Sequence, residues 1–125
     1  MIENRIAEAV VESSFRIHRN LGPGLFENVY ETLLAYELEK ENFCVVRQAP
    51  IPIRYQGREF EEGFRADLIV DDHVIVELKS VEKILPVHKK QLLTYLRLSN
   101  KRLGLLVNFG ESLLKDGIFR IANGL

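Results

Sequence analysis

The sequence predicts an α/β domain: a mixed sheet flanked by helices, in the order ααβββαβ with one short further strand at the end. Three observations predict it. The chain opens on two amphipathic stretches of helical length. Alternating, β-branched segments then fill residues 43 to 79, broken by turn residues. Finally, a helical stretch separates the last of these segments from a nearly continuous apolar run, which is the pattern of a β-α-β crossover. The 125 residues suffice for one compact domain with its own core, taken as 1–125.

The first helix covers residues 2 to 19, where Ile2, Ile6, Ala9, Val10, Ser13 and Ile17 recur at helical spacing. His18 falls near its end, where a packed helix-end histidine is the expected role. Leu21-Gly22-Pro23-Gly24 then breaks the periodicity. A second helix is expected from Leu25 to Glu41, with Phe26, Val29, Tyr30, Leu33 and Leu34 on its buried side. Glu27 lies in its first turn, where unpaired amides and the helix dipole favour a carboxylate. Residues 43 to 55 read as a strand in which Pro50 and Pro52 indicate an edge or a bulge. Gln56-Gly57-Arg58 turns the chain into a second strand, residues 59 to 70, and a third follows from Val74 to Lys79, completing an antiparallel meander. Pro86 suits the start of a helix running through Ser99. On it, His88, Gln91 and Tyr95 share one face, beside Leu92 and Leu96. The run from Arg102 to Phe109 suits a strand covered on both faces and parallel to the 74–79 strand. Residues 118 to 121 form a short edge strand.

The chemistry concentrates in the hairpin of residues 64 to 79. A three-residue loop, Asp71-Asp72-His73, pairs Val70 with Val74 and sets Asp67 opposite Glu77. Ala66, Leu68, Val70, Val74, Val76 and Leu78 then share one apolar face, and Arg65, Asp67, Ile69, Ile75, Glu77 and Lys79 share the other. A two-residue loop would slip the register and put a carboxylate among the apolar residues on each side. Two facing carboxylates repel unless something positive lies between them. A divalent cation does this, and magnesium takes one or two protein carboxylates while keeping several waters. Lys79 would point the same way and could stabilise charge on a phosphate. On the hairpin alone, an ion-pair ladder of Arg65, Asp67, Glu77 and Lys79 on a solvated face remains open as the alternative.

Composition narrows the classes. No apolar run approaches a membrane span, and the acidic, amphipathic N-terminus is unlike a signal peptide. The single cysteine, Cys44, excludes an internal disulfide and a multi-cysteine zinc site, and reads as a small core residue. These features predict a cytoplasmic protein. A net charge of −1 gives no global field for nucleic acid. Locally, however, Lys83, Lys89, Lys90, Arg97, Lys101 and Arg102 lie between residues 83 and 102 with no acid among them. Such a flank suits a polyanion, or simply solvates a helix face.

With these residues in place, the chain resembles a known family. Asp67 followed by Glu77-Leu78-Lys79 is similar to the PD-(D/E)xK nuclease signature, with Ala66 where the proline would stand. Gly24-Leu25-Phe26-Glu27-Asn28-Val29-Tyr30 resembles the motif of the GxxExxY proteins of that superfamily. Gln91-Leu92-Leu93-Thr94-Tyr95 resembles the QxxxY element of its RecB-like branch. The resemblance runs over essentially the whole chain and implies a restriction-endonuclease-like fold.

The resemblance further implies a metal-dependent nuclease acting on DNA through a magnesium-activated water, with manganese as a substitute ion. Asp67, Glu77 and the main-chain carbonyl of Leu78 would be metal ligands, and Glu27 would complete the metal site or bind a ligand water. Lys79 would position or activate the water, and Gln91 and Tyr95 would orient Lys79 and the scissile phosphate. Lys83, Lys89 and Lys90 would contact nucleic acid. The alternatives are a non-catalytic nucleic-acid-binding or protein-interaction domain on the same fold, and a phosphoesterase acting on small nucleotides. So small a domain offers little surface for a duplex. A homodimer is therefore expected to build the groove, unless the substrate is single-stranded or structured.

Overall fold

The computed structural model describes residues 1–125. Helix α1 (Ile2–Leu21) runs two residues beyond its expected end and stops at Gly22, whose φ of 72° leaves the helical region while its N–H still bonds His18 O at 2.7 Å. Helix α2 (Glu27–Lys40) leads into strands β1 (Val45–Tyr55), β2 (Arg58–Val70) and β3 (Val74–Lys79). Helix α3 (Pro86–Ser99), strand β4 (Leu103–Asn108), a 3-10 turn (Leu114–Gly117) and strand β5 (Ile118–Ala122) complete the chain. Pro86 occupies the first turn of α3, as its missing N–H allows.

The five strands lie in the order β1-β2-β3-β4-β5. Only β3 and β4 are parallel, joined by α3, and the other neighbours are antiparallel. Strand β1 is an edge strand, and its pairing with β2 slips between Ile51 and Ile53, so Pro50 and Pro52 mark both an edge and a bulge.

Helices α1 and α2 bury Ile6, Val10, Tyr30, Leu34 and Leu38 against Leu68, Val70, Val74, Val76 and Leu78 of the sheet. Helix α3 sets Leu92 and Leu96 over Ile51, Ala66, Ile75 and Leu106 on the opposite side. The architecture is an α/β mixed sheet flanked by three helices, consistent with the restriction-endonuclease-like fold that the resemblance implies. No helix is long and apolar enough to cross a membrane.

Three local expectations need correction. Ala66 packs with α3 rather than with Leu68, because the strands part just beyond the Leu68–Val76 pair and β2 turns over. Helix α2 begins at Glu27, so Phe26 lies outside the helical stripe and is 82% exposed. Val29 is also exposed, and the buried stripe is Tyr30, Glu31, Leu34, Ala35 and Leu38. Cys44 is exposed, because β1 starts only at Val45. Its N–H bonds Asp71 Oδ1 at 2.7 Å.

Candidate active site

The site is a fork between β2 and β3. Val70 pairs with Val74, Ile69 with Ile75 and Leu68 with Val76, the register expected of a three-residue loop. Asp71 and Asp72 supply left-handed residues there, at φ 49° and 57°. Past Leu68, side chains replace the backbone ladder. Glu77 Oε2 accepts the Asp67 N–H at 2.7 Å, and Asp67 Oδ2 accepts the Leu78 N–H at 2.8 Å. Each carboxylate holds the other's strand where the backbone pairing of β2 and β3 has ended.

The Glu77 side of this clasp is buried and Asp67 is half-buried. Glu77 is only 8% exposed, and its carboxyl is pushed up to about 8 by burial first and by the nearby Asp67 second. The Asp67 N–H and Lys79 oppose that push. Asp67 is also raised, chiefly by burial, with Glu31 and Glu27 adding repulsion and the Leu78 N–H and Gln48 opposing it. Neither Arg65 nor Lys79 forms an ion pair with either carboxylate, and Arg65 donates to the Gln48 carbonyl instead. The solvated ion-pair ladder is therefore not what forms.

Glu27 is the first residue of α2 and is exposed. The loop before it is tied down from both sides. Tyr30 Oη donates to Gly22 O at 2.6 Å and accepts the Leu25 N–H at 3.2 Å, while Ser80 Oγ donates to Leu25 O at 2.6 Å. Tyr30 itself is fully buried and stacks on Phe109, with ring centroids 4.2 Å apart. A cleft of about 490 Å³ opens along Gly24, Leu25, Phe26, Glu27, Asn28 and Ser80.

Glu27 adds to the negative field at Asp67 and Glu77, yet no group of three or more His, Cys, Asp or Glu side chains stands ready to hold a metal. The donor chemistry nevertheless fits a hard cation. Two carboxylates with spare lone pairs face a position where their charges repel, and magnesium needs only one or two such ligands with waters.

Lys79 ends β3 half-buried, and its carbonyl accepts the Phe109 N–H at 2.8 Å. Tyr95 is half-buried and packs on Phe64 at 4.6 Å between centroids. Its phenol is raised by burial first and then by Glu77 and Asp67, whose field it therefore feels. Gln91 is exposed and makes no side-chain hydrogen bond. Among the basic residues, Lys83 and Lys90 are exposed, and the Lys89 ammonium lies 4.1 Å from the centroid of Phe119 on β5. Lys101 is turned to Asp72, at 3.0 Å. His88 Nδ1 accepts the Leu85 N–H and so caps α3, while His18 Nε2 meets Glu111 O at 2.8 Å as a packed helix-end histidine.

Sequence reasoning missed four residues around the fork. Glu31 is buried on α2 and bonds Arg47 Nε at 2.9 Å and Gln48 Nε2 at 2.6 Å. Gln48 Nε2 also reaches Asp67 Oδ1, at 3.3 Å. Asn108, fully buried, clamps Val81 just after Lys79. The one signal available was polarity inside elements whose neighbours are apolar.

The layered mixed sheet and its forked, acidic centre define a restriction-endonuclease-like domain. Residues 4–121 match the family model of the PD-(D/E)XK nuclease superfamily, and the chain belongs to that superfamily. Membership implies a nuclease-type function, and nucleases of this superfamily generally use divalent metals such as Mg2+. No curated protein and no solved structure gives a significant match.

Proposed function

We propose that the protein is a metal-dependent nuclease that hydrolyses phosphodiester bonds in DNA, using magnesium or, in its place, manganese. The observation that carries this reading is the Asp67–Glu77 clasp: a half-buried and a buried carboxylate at one fork, with no ion pair to neutralise them. Asp67 and Glu77 would hold the ion, with the Leu78 carbonyl and Glu27 as further ligands. When bound, the ion supplies Lewis acidity and a lowered water pKa.

The chain's own residues do the remainder. The Leu78 N–H fixes one Asp67 oxygen, and the Asp67 N–H fixes one Glu77 oxygen, leaving lone pairs on both carboxylates for the ion. Lys79 orients the attacking water and stabilises negative charge on the phosphate. Tyr95, braced by Phe64, and Gln91 orient Lys79 and the scissile phosphate. Lys83, Lys89 and Lys90 attract the phosphate backbone. Gly24, Glu27 and Tyr30 match the GxxExxY motif, and Tyr30 holds the loop from which Glu27 projects. A homodimer would widen the surface available to a duplex.

A competing reading is a non-catalytic nucleic-acid-binding or protein-interaction domain. The observation on its side is that both carboxylates already satisfy backbone amides where the ladder opens, so they serve the fold even without a cation. Calorimetric titration of Mg2+ and Mn2+ into wild type and Asp67→Ala separates the two, followed by assays on single- and double-stranded DNA and RNA. Binding and cleavage in wild type, both lost in the variant, support the nuclease. No heat at millimolar metal with substrate present leaves the binding domain.

A further inference from the structure

Gln48 sits where three features of the chain meet. It lies on the edge strand β1 between Arg47, paired with Leu68, and Ala49, paired with Ala66, and so stands across from Asp67. Its backbone is left-handed, at φ 49°, although it is not a glycine, and its carbonyl is held by Arg65 Nη1 at 3.1 Å. Such backbone persists where the surroundings over-determine it, and it gathers at functional sites.

The side chain is equally constrained. Both groups that it faces are carboxylates, which only accept hydrogen bonds when ionised, so the NH2 end must point toward them. One nitrogen carries two N–H donors, and here it meets two acceptors: Glu31 Oε1 at 2.6 Å and Asp67 Oδ1 at 3.3 Å. Glu31 is immobilised in turn. It is 6% exposed, and its second oxygen takes Arg47 Nε at 2.9 Å, while Arg47 Nη2 donates to Thr32 Oγ1 at 2.9 Å. The chain of bonds therefore runs from the surface of α2 through Glu31 and Gln48 to Asp67, whose other oxygen is fixed by Leu78 N–H.

We infer that Gln48 is a positioning residue that anchors the Asp67 carboxylate to the Glu31–Arg47 pair and so sets its orientation for a divalent cation. This rests on the metal site proposed above. With one protein donor on each Asp67 oxygen, the carboxylate plane is fixed while lone pairs remain free. Without Gln48, the carboxylates from α2 and β2 face each other with no proton between them, and Asp67 is held from one side only. Outer groups that orient a metal ligand are worth about 10- to 100-fold in metal affinity.

Two variants separate this role from a backbone role. Gln48→Met keeps the length and removes the donors. Gln48→Asn keeps an amide and suits left-handed backbone, but falls one methylene short of both carboxylates. Mn2+ is titrated calorimetrically into wild type and both variants, and thermal denaturation is followed without metal. The expected result is a Kd for Mn2+ raised about 10- to 100-fold in both variants, with Gln48→Asn melting as wild type does. On an oligonucleotide, kcat falls and KM stays. Wild-type Mn2+ affinity in Gln48→Asn overturns the inference, since Gln48 would then act through its backbone alone. Wild-type affinity in Gln48→Met overturns it as well. A wild-type protein that binds no Mn2+ overturns the metal site itself, and this inference with it.

Discussion

Asp67 and Glu77 clasp each other's strands. The carboxylate of Glu77 takes the amide of Asp67 at 2.7 Å, and the carboxylate of Asp67 takes the amide following Glu77, that of Leu78, at 2.8 Å. Backbone hydrogen bonds would have continued the ladder at no electrostatic cost. A buried and a half-buried acid have been put there instead, each raised chiefly by burial, with Asp67 further opposing ionisation of Glu77. This arrangement makes the fork sensitive to protons and to cations alike.

The first prediction concerns pH in the absence of metal. Glu77 rises from an ordinary 4.5 to about 8 in the folded protein, so the native state binds a proton that the unfolded state has lost across that interval. Its contribution to stability is complete below about 4.5 and is lost as pH rises through about 8. The slope from this one group is at most about 1.4 kcal/mol per pH unit. Urea denaturation in EDTA from pH 5 to pH 9 should show stability falling, with a flatter profile in Glu77→Gln. Adding Mg2+ should restore stability most at the alkaline end. A Glu77→Gln profile parallel to wild type would show that Glu77 titrates normally.

Tyr30 carries the second prediction. Its ring stacks on Phe109 and its hydroxyl joins Gly22 to Leu25, so core packing and loop anchoring reside in different atoms. Tyr30→Phe keeps the stack and loses both hydrogen bonds, at about 1–2 kcal/mol. Tyr30→Ala removes the stack as well, at about 3–5 kcal/mol. Calorimetric melting should rank them so. Metal affinity should already fall in Tyr30→Phe, because the first turn of α2 carries Glu27.

How much of this was legible in the sequence differs from residue to residue. The Asp67–Glu77 pairing was legible because one loop length alone sorts the polar residues of the hairpin onto one face, and a strand's period of two admits no compromise. Gln48 was not. Its contact with Asp67 joins residues 19 apart and depends on a left-handed φ that no neighbouring turn signal announces. Glu31 read as one more charge on an amphipathic helix, because burial of a carboxylate depends on the partner that arrives from β1. Phe26 was assigned to the buried stripe of a helix that begins one residue later and buries nothing before Tyr30, since a helix start follows cap geometry more than periodicity. Ala66 changed sides because the clasp itself ends the ladder.

The third prediction tests the bulge that bends the β1–β2 hairpin. Ile51 pairs with Phe64 and Ile53 with Phe60, so Pro52 alone faces Glu61, Glu62 and Gly63. A Cβ on Gly63 would lie 1.9 Å from the Ile51 carbonyl oxygen, with backbone on both sides of the clash. Gly63→Ala must therefore shift the strands, at about 1–3 kcal/mol. Ile51 and Phe64 both pack on the α3 side, and Phe64 braces Tyr95. The variant should lower the urea midpoint and reduce cleavage together. An unchanged midpoint would mean that the bulge is softer than its geometry implies.

Asn108 tests how the segment after Lys79 is held. Fully buried at the end of β4, it accepts the N–H groups of Val81 and Gly110 at 3.0 Å each and donates to Val81 O at 2.9 Å. Asn108→Ala strands two donors and an acceptor in the interior and should cost about 2–4 kcal/mol. Asn108→Asp is more informative. Protonated, the acid reproduces the amide, because its O–H can donate to Val81 O while its carbonyl accepts the two N–H groups. Ionised, it faces that carbonyl with no proton to give, and burial disfavours its charge. Burial and the Val81 carbonyl raise its folded pKa while the Val81 and Gly110 N–H groups oppose them; with the first two dominant, the variant keeps most of its stability at pH 4 and loses it as pH rises toward 7. Urea denaturation at both pH values, against wild type, measures the difference. Equal losses at the two would mean that Asn108 holds Val81 by shape rather than by its hydrogen bonds.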